Sequence, residues 1–108
     1  MSAVTNLILA FSMSENEFLR IRDVRLFQHN EKSLRIMSMD FRTGLFVKHK
    51  WYRSSKNLEC RLYLGVYNHF DLQSFTKHLR AIPWEHPEDV QIIVKEHEEF
   101  KFKIIEII

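Results

Sequence analysis

The chain is poor in the residues that bend, cross-link or loosen a backbone. Its 108 residues include one cysteine, two glycines and two prolines. A lone cysteine, Cys60, excludes a disulfide within the chain and fits a reducing compartment. Two glycines, Gly44 and Gly65, cannot build a loop that cradles phosphates. So little glycine and proline also argues against long flexible linkers. No apolar run approaches the ~20 residues of a membrane-spanning helix. The first residues, MSAVTNLILAFSMSE, are apolar, but no basic segment precedes them and charges follow at once, unlike a secretory signal. The expectation is one domain over residues 1–108, in the cytoplasm, with no membrane partner.

Aromatic residues are plentiful: nine Phe, three Tyr and two Trp. The net charge is only +2, but it is unevenly distributed. Between Arg20 and Arg61 bases dominate. Between Glu85 and Glu99 stand Glu85, Glu88, Asp89, Glu96, Glu98 and Glu99 against Lys95 alone. Segments of opposite sign on separate faces would favour charge-steered association.

Periodicity gives the elements. Leu58 to Phe70 alternates, with Leu58, Cys60, Leu62, Leu64, Val66 and Phe70 at every second position apart from Asn68, against Glu59, Arg61, Tyr63, Gly65, Tyr67 and His69. Period two predicts a strand whose aliphatic set is buried and whose tyrosines face outward. Asp71 then caps a helix, with Phe70 and Phe75 spaced as a hydrophobic staple. Leu72, Phe75, Leu79 and Ile82 form its stripe, and Pro83 ends it. Val4 to Phe11 reads as a central strand, apolar on both faces. Ser14 with Glu17 forms a capping box, and Met13 with Phe18 a staple, for a helix over about residues 15–28. A turn at His29 to Lys32 leads to a strand over Ser33 to Phe41. Leu45 to Arg53 is an irregular or short edge strand. Val90 to Lys95 and Phe100 to Ile105 are the arms of a hairpin around a wide bend at Glu96 to Glu99. The apolar end, Ile104 to Ile108, invites pairing with a second copy, so a homodimer through that strand is an expectation. The order β-α-β-(β)-β-α-β-β predicts an α+β fold: a mostly antiparallel sheet of four to six strands with two helices, a sandwich related to ferredoxin-like folds.

Nothing in the spacing asks for chemistry. His29, His49, His69, His78, His86 and His97 lie without a second histidine or a thiol at zinc-site spacing, so no metal and no cofactor is expected. Cys60 is placed in the core, and no serine sits in a Gly-x-Ser-x-Gly elbow, so no catalytic residue is assigned. Binding has more support. Lys48, Lys50, Trp51, Tyr52 and Arg53 interleave bases and rings, a pattern that holds phosphates and stacks nucleobases. With Tyr63 and Tyr67 on the other strand face, they make an RNA-binding sheet the alternative reading, although packing under a helix on that face is the commoner use of such rings. The motif's longer signature is not matched, since Arg61 is followed by Leu62, Tyr63, Leu64 and Gly65.

Several stretches carry a family resemblance: VTNLI (Val4 to Ile8), FSMSENE (Phe11 to Glu17), Trp51-Tyr52, LEC (Leu58 to Cys60), LGVYNHFDL (Leu64 to Leu72) and IPWEHPEDVQIIVKEHEEFKFKI (Ile82 to Ile104). In these the chain resembles small bacterial immunity proteins that accompany contact-dependent growth-inhibition and related polymorphic toxins. Arg53, Ser54 and Ser55 depart from the small residues, often glycines, that follow the Trp-Tyr pair in that family. The resemblance implies a protein without catalysis that binds a toxin domain made from the neighbouring gene and covers its active or substrate-binding face. Many such toxins are nucleases, including transfer-RNA nucleases, and are basic because they hold nucleic acid. Glu85, Glu88, Asp89, Glu96, Glu98 and Glu99 would then be the counterpart surface. Lys48 to Arg53 is the rival surface, for an acidic partner.

Overall fold

A computed structural model describes residues 3–39 and 60–108. The expected edge strand over Leu45 to Arg53 and the start of the long strand at Leu58 lie outside the described residues.

The chain runs β1 (Val4–Ser12), α1 (Glu17–Arg25), β2 (Gln28–His29), β3 (Lys32–Ser33), β4 (Met37–Ser38), β5 (Cys60–Asn68), α2 (Leu72–Ala81), a 3-10 turn at Pro87–Asp89, β6 (Gln91–Lys95) and β7 (Lys103–Glu106). Five strands form one sheet in the order β4-β5-β1-β6-β7, with every neighbouring pair antiparallel. The fold is α+β, as the element order predicts. Since β5 and β6 both run against β1, they are parallel to each other with β1 between them. By the same logic β1 and β4 are parallel with β5 between them. The sheet is therefore two interlocked split β-α-β units with β7 added at one edge.

The helices cover one face of the sheet. Leu7, Leu9 and Phe11 of β1, Ile92 and Val94 of β6, and Ile21, Val24, Phe75 and Leu79 of the helices share one core. The His78 Nε2 lies 2.8 Å from the Asp23 carbonyl and ties α2 to α1.

Helix α2 forms as its sequence dictates. The Asp71 carboxylate accepts from the Ser74 N–H at 3.1 Å, and Phe70 meets Phe75 edge-on at 5.2 Å. Ile82, before Pro83, is extended (ψ 135). Helix α1 is shorter than expected and starts later. Asn16, not Ser14, is its cap, accepting from the Leu19 N–H at 3.1 Å. Ser14 instead donates its N–H to the Ser12 hydroxyl. The staple is absent, since Met13 is exposed and Phe18 is 79% exposed. Ser14 and Asn16 are comparable caps, and Asn16 prevails because Glu15 is drawn into the interior.

Two further expectations change. The strand expected over Ser33 to Phe41, of which residues 33–39 are described, is split there: β3 pairs with β2 in a small ribbon, and among the described residues of that range β4 alone joins the sheet. Asn30 and Glu31 both have positive φ (52 and 62) in the two-residue turn between β2 and β3. Leu34 and Ile36 turn into the core between these pieces. The larger correction concerns β5. Its tyrosine face, not its aliphatic face, is covered: Tyr63 and Tyr67 are each 6% exposed, while Val66 is 64% exposed. Alternation identifies two faces but not which one the helices take, and tyrosine buries a large ring if its hydroxyl finds a partner.

Candidate functional site

The six acidic residues separate into two groups at opposite ends of β6. By strand rise the groups are about 20 Å apart.

The first group sits on the connection from α2 to β6. Trp84 packs on Phe11 at 5.4 Å and donates its indole N–H to the Leu79 carbonyl at 2.9 Å. The next two backbone N–H groups, of Glu85 and His86, donate to the Glu15 carboxylate at 3.1 and 2.7 Å. Arg20 donates to the same carboxylate at 3.0 Å and also reaches Asp23. The Glu15 side chain is fully buried. Burial pushes its pKa up, but the His86 and Glu85 N–H groups and Arg20 outweigh that and hold it below the usual 4.5. A buried, ionised carboxylate thus pins the connection to the start of α1. On this support Glu85, Glu88 and Asp89 stand exposed. His86, Glu88 and Asp89 bring their ligand atoms within 4.8 Å of one another, a grouping the sequence spacing did not suggest. Three ligands, two of them on exposed residues, fall short of a closed structural zinc set.

The second group lies in the β6–β7 bend. The Glu99 carboxylate accepts from the Glu96 N–H at 2.8 Å, and Glu98 takes a positive φ of 71. Lys103 then lies between Glu96 and Glu99, at 3.2 and 3.5 Å. Its pKa is raised chiefly by the hydrogen bond to Glu96. Folding therefore supplies these acids with a base that the linear segment did not contain. With Lys95 and Lys101 flanking it as well, the bend is close to neutral, whereas the connection keeps its negative charge.

The alternative surface fares differently. Tyr63 and Tyr67 do not face solvent. Tyr63 donates its hydroxyl to Glu17 at 2.5 Å, and Tyr67 donates to the Arg35 carbonyl at 2.6 Å. Burial pushes both phenols up to about 12, with Glu17 adding to the effect at Tyr63. Rings held in this way are not free to stack on nucleobases, and the reason is the inverted face of β5. Lys48, Lys50, Trp51, Tyr52 and Arg53 lie outside the described residues.

The inversion brings forward a surface the sequence reading had assigned to the core. On the side of the sheet away from the helices, Met37, Leu64, Ile8, Ile93 and Ile104 are register partners in one row across all five strands. Met37 and Ile104 are exposed, and the other three are half-buried. The alternation of Leu62, Leu64 and Val66 marks this face but does not say that it points away from the helices.

Among the described residues no helix is long and apolar enough to cross a membrane. In comparisons with known proteins the chain matches no family profile, no curated protein and no solved structure.

Proposed function

We propose that this protein is a non-catalytic binding protein of the immunity type, which neutralises a basic toxin domain encoded by a neighbouring gene in the bacterial cytoplasm. The observation that carries the reading is the pinned connection, where Glu85, Glu88 and Asp89 project from a backbone held by Glu15 and Trp84. Charges on a fixed backbone lose little entropy on binding, so their attraction is kept for the partner. Carboxylates at such a site mimic the phosphates a nuclease holds, and they raise the association rate. The connection lies within the Ile82 to Ile104 stretch that resembles the immunity family.

The test is co-expression with the product of the neighbouring gene, followed by association kinetics. Reversing Glu85, Glu88 and Asp89 to lysine should slow association by about 10-fold or more and flatten its salt dependence. Reversing Glu96, Glu98 and Glu99 should do less, because Lys103 already pairs with two of them. Unchanged kinetics in the first variant would remove the connection from the interface. Failure of the two proteins to co-purify would remove the reading itself.

A further inference from the structure

We propose that the outer edge of β7 pairs with β7 of a second copy, antiparallel, about a two-fold axis through Ile104. Strand β7 ends the sheet, and β6 is its only strand partner among the described residues. Such an edge offers a row of backbone donors and acceptors. Charged residues commonly guard it, and the guard here would be Lys103. That lysine is turned to Glu96 and Glu99 of its own bend, so two β7 edges do not meet as bare like charges.

Side-chain geometry selects the register. Residues opposite each other in an antiparallel pair share a face. Ile104 lies on the open face beside Ile93, while Ile105 lies on the helix side beside Ile92. A perpendicular two-fold axis must therefore pass through a residue and not between two. Centring on Lys103 sets it against its own copy. Centring on Ile105 sets Ile104 against the copy's Glu106. Centring on Ile104 sets it against the copy's Ile104 and places Phe102 beside the hydrocarbon part of the copy's Glu106. Ile104 is 61% exposed and Phe102 is 48% exposed, so both have area to gain. The row Met37, Leu64, Ile8, Ile93, Ile104 then continues unbroken into the copy's row. This self-complementarity is what favours a second copy over an unrelated strand. Pairing over so few residues buries less than the ~1,200 Å² of a standard interface, so the dimer is a weak one.

Sedimentation equilibrium on the full chain tests this. From about 5 to about 500 µM, the wild-type mass should rise from 13.1 kDa towards twice that value. Ile104→Lys, a change at an exposed site, should stay monomeric with an unchanged circular dichroism spectrum. In a Cys60→Ser background, Ile104→Cys should cross-link under mild oxidation at least about 10-fold faster than Glu106→Cys, because only a residue on the axis meets its own copy closely enough for a disulfide. A wild-type mass that stays monomeric throughout would overturn the proposal, as would equal cross-linking at the two positions. Loss of toxin binding in Ile104→Lys, with a monomeric wild type, would assign the edge to a strand of that partner instead.

Discussion

Removing the Glu15 carboxylate should loosen the acidic connection and destabilise the fold together. Glu15 accepts three hydrogen bonds, from Arg20 and from the Glu85 and His86 N–H groups. In Glu15→Ala all three are lost, and Arg20 keeps only Asp23. Breaking a buried ion pair from one side costs about 3–5 kcal/mol. The surviving Asp23 contact places the expectation near the lower end, about 3 kcal/mol. Glu15→Gln keeps the shape and the oxygen that serves Arg20 and the Glu85 N–H, but it sets an amide NH2 against the His86 N–H, for about 1–2 kcal/mol. Urea titration followed by circular dichroism measures both. The pH dependence gives a second, independent check. A carboxylate whose folded pKa lies below 4.5 contributes fully above that value and loses its contribution as pH falls through the folded pKa. The gap between wild type and Glu15→Gln should therefore hold from neutral pH to about pH 5, then close below pH 4.5. Amide exchange at Glu85 and His86 should accelerate in Glu15→Ala ahead of the sheet amides. A gap of zero at neutral pH, or an undiminished gap in acid, would refute the reasoning.

A Cβ at Gly65 would fall within the Tyr67 ring, which is itself stacked on Phe70 at 4.6 Å. Gly65→Ala should thus destabilise by about 1–3 kcal/mol in urea, and adding Tyr67→Leu should recover part of the loss. Tyr67→Phe leaves the Arg35 carbonyl without its hydroxyl donor and should cost about 1 kcal/mol by the same assay. Tyr63 and Tyr67 have folded pKa values raised from 10 to about 12, so their contribution is complete below pH 10 and is lost as pH rises towards 12. The urea midpoint should fall over that interval, and less so in Tyr63→Phe/Tyr67→Phe. Phe75→Ala empties the centre of the core and should cost about 3–5 kcal/mol, with a matching fall in melting temperature.

Local signals in the sequence are legible where one residue has one good use. Asp71 before an apolar stripe, and Pro83 after it, mark α2 because few other structures use both. The cap of α1 is not legible because Ser14 and Asn16 compete, and the deciding interaction, Glu15 with residues 85 and 86, spans most of the chain. The sides of β5 were exchanged because Leu62, Leu64 and Val66 look more apolar than Arg61, Tyr63 and Tyr67. The tyrosines take the interior through hydroxyl partners, Glu17 and Arg35, that no periodicity reveals. The acidic segment was legible as composition, but its division was not, since Lys103 reaches back only once β7 turns.

The central strand sets the tempo of folding. β1 is the first strand in the chain, yet its two neighbours begin at Cys60 and Gln91. Its ladder closes only through long loops, and such non-local pairing is intrinsically slow. A chain emerging from the ribosome must hold Leu7, Leu9 and Phe11 without strand partners until residue 60 and beyond is out. Newly made molecules thus pass through a sticky, half-built interval in which chaperone capture or misassembly competes with completion.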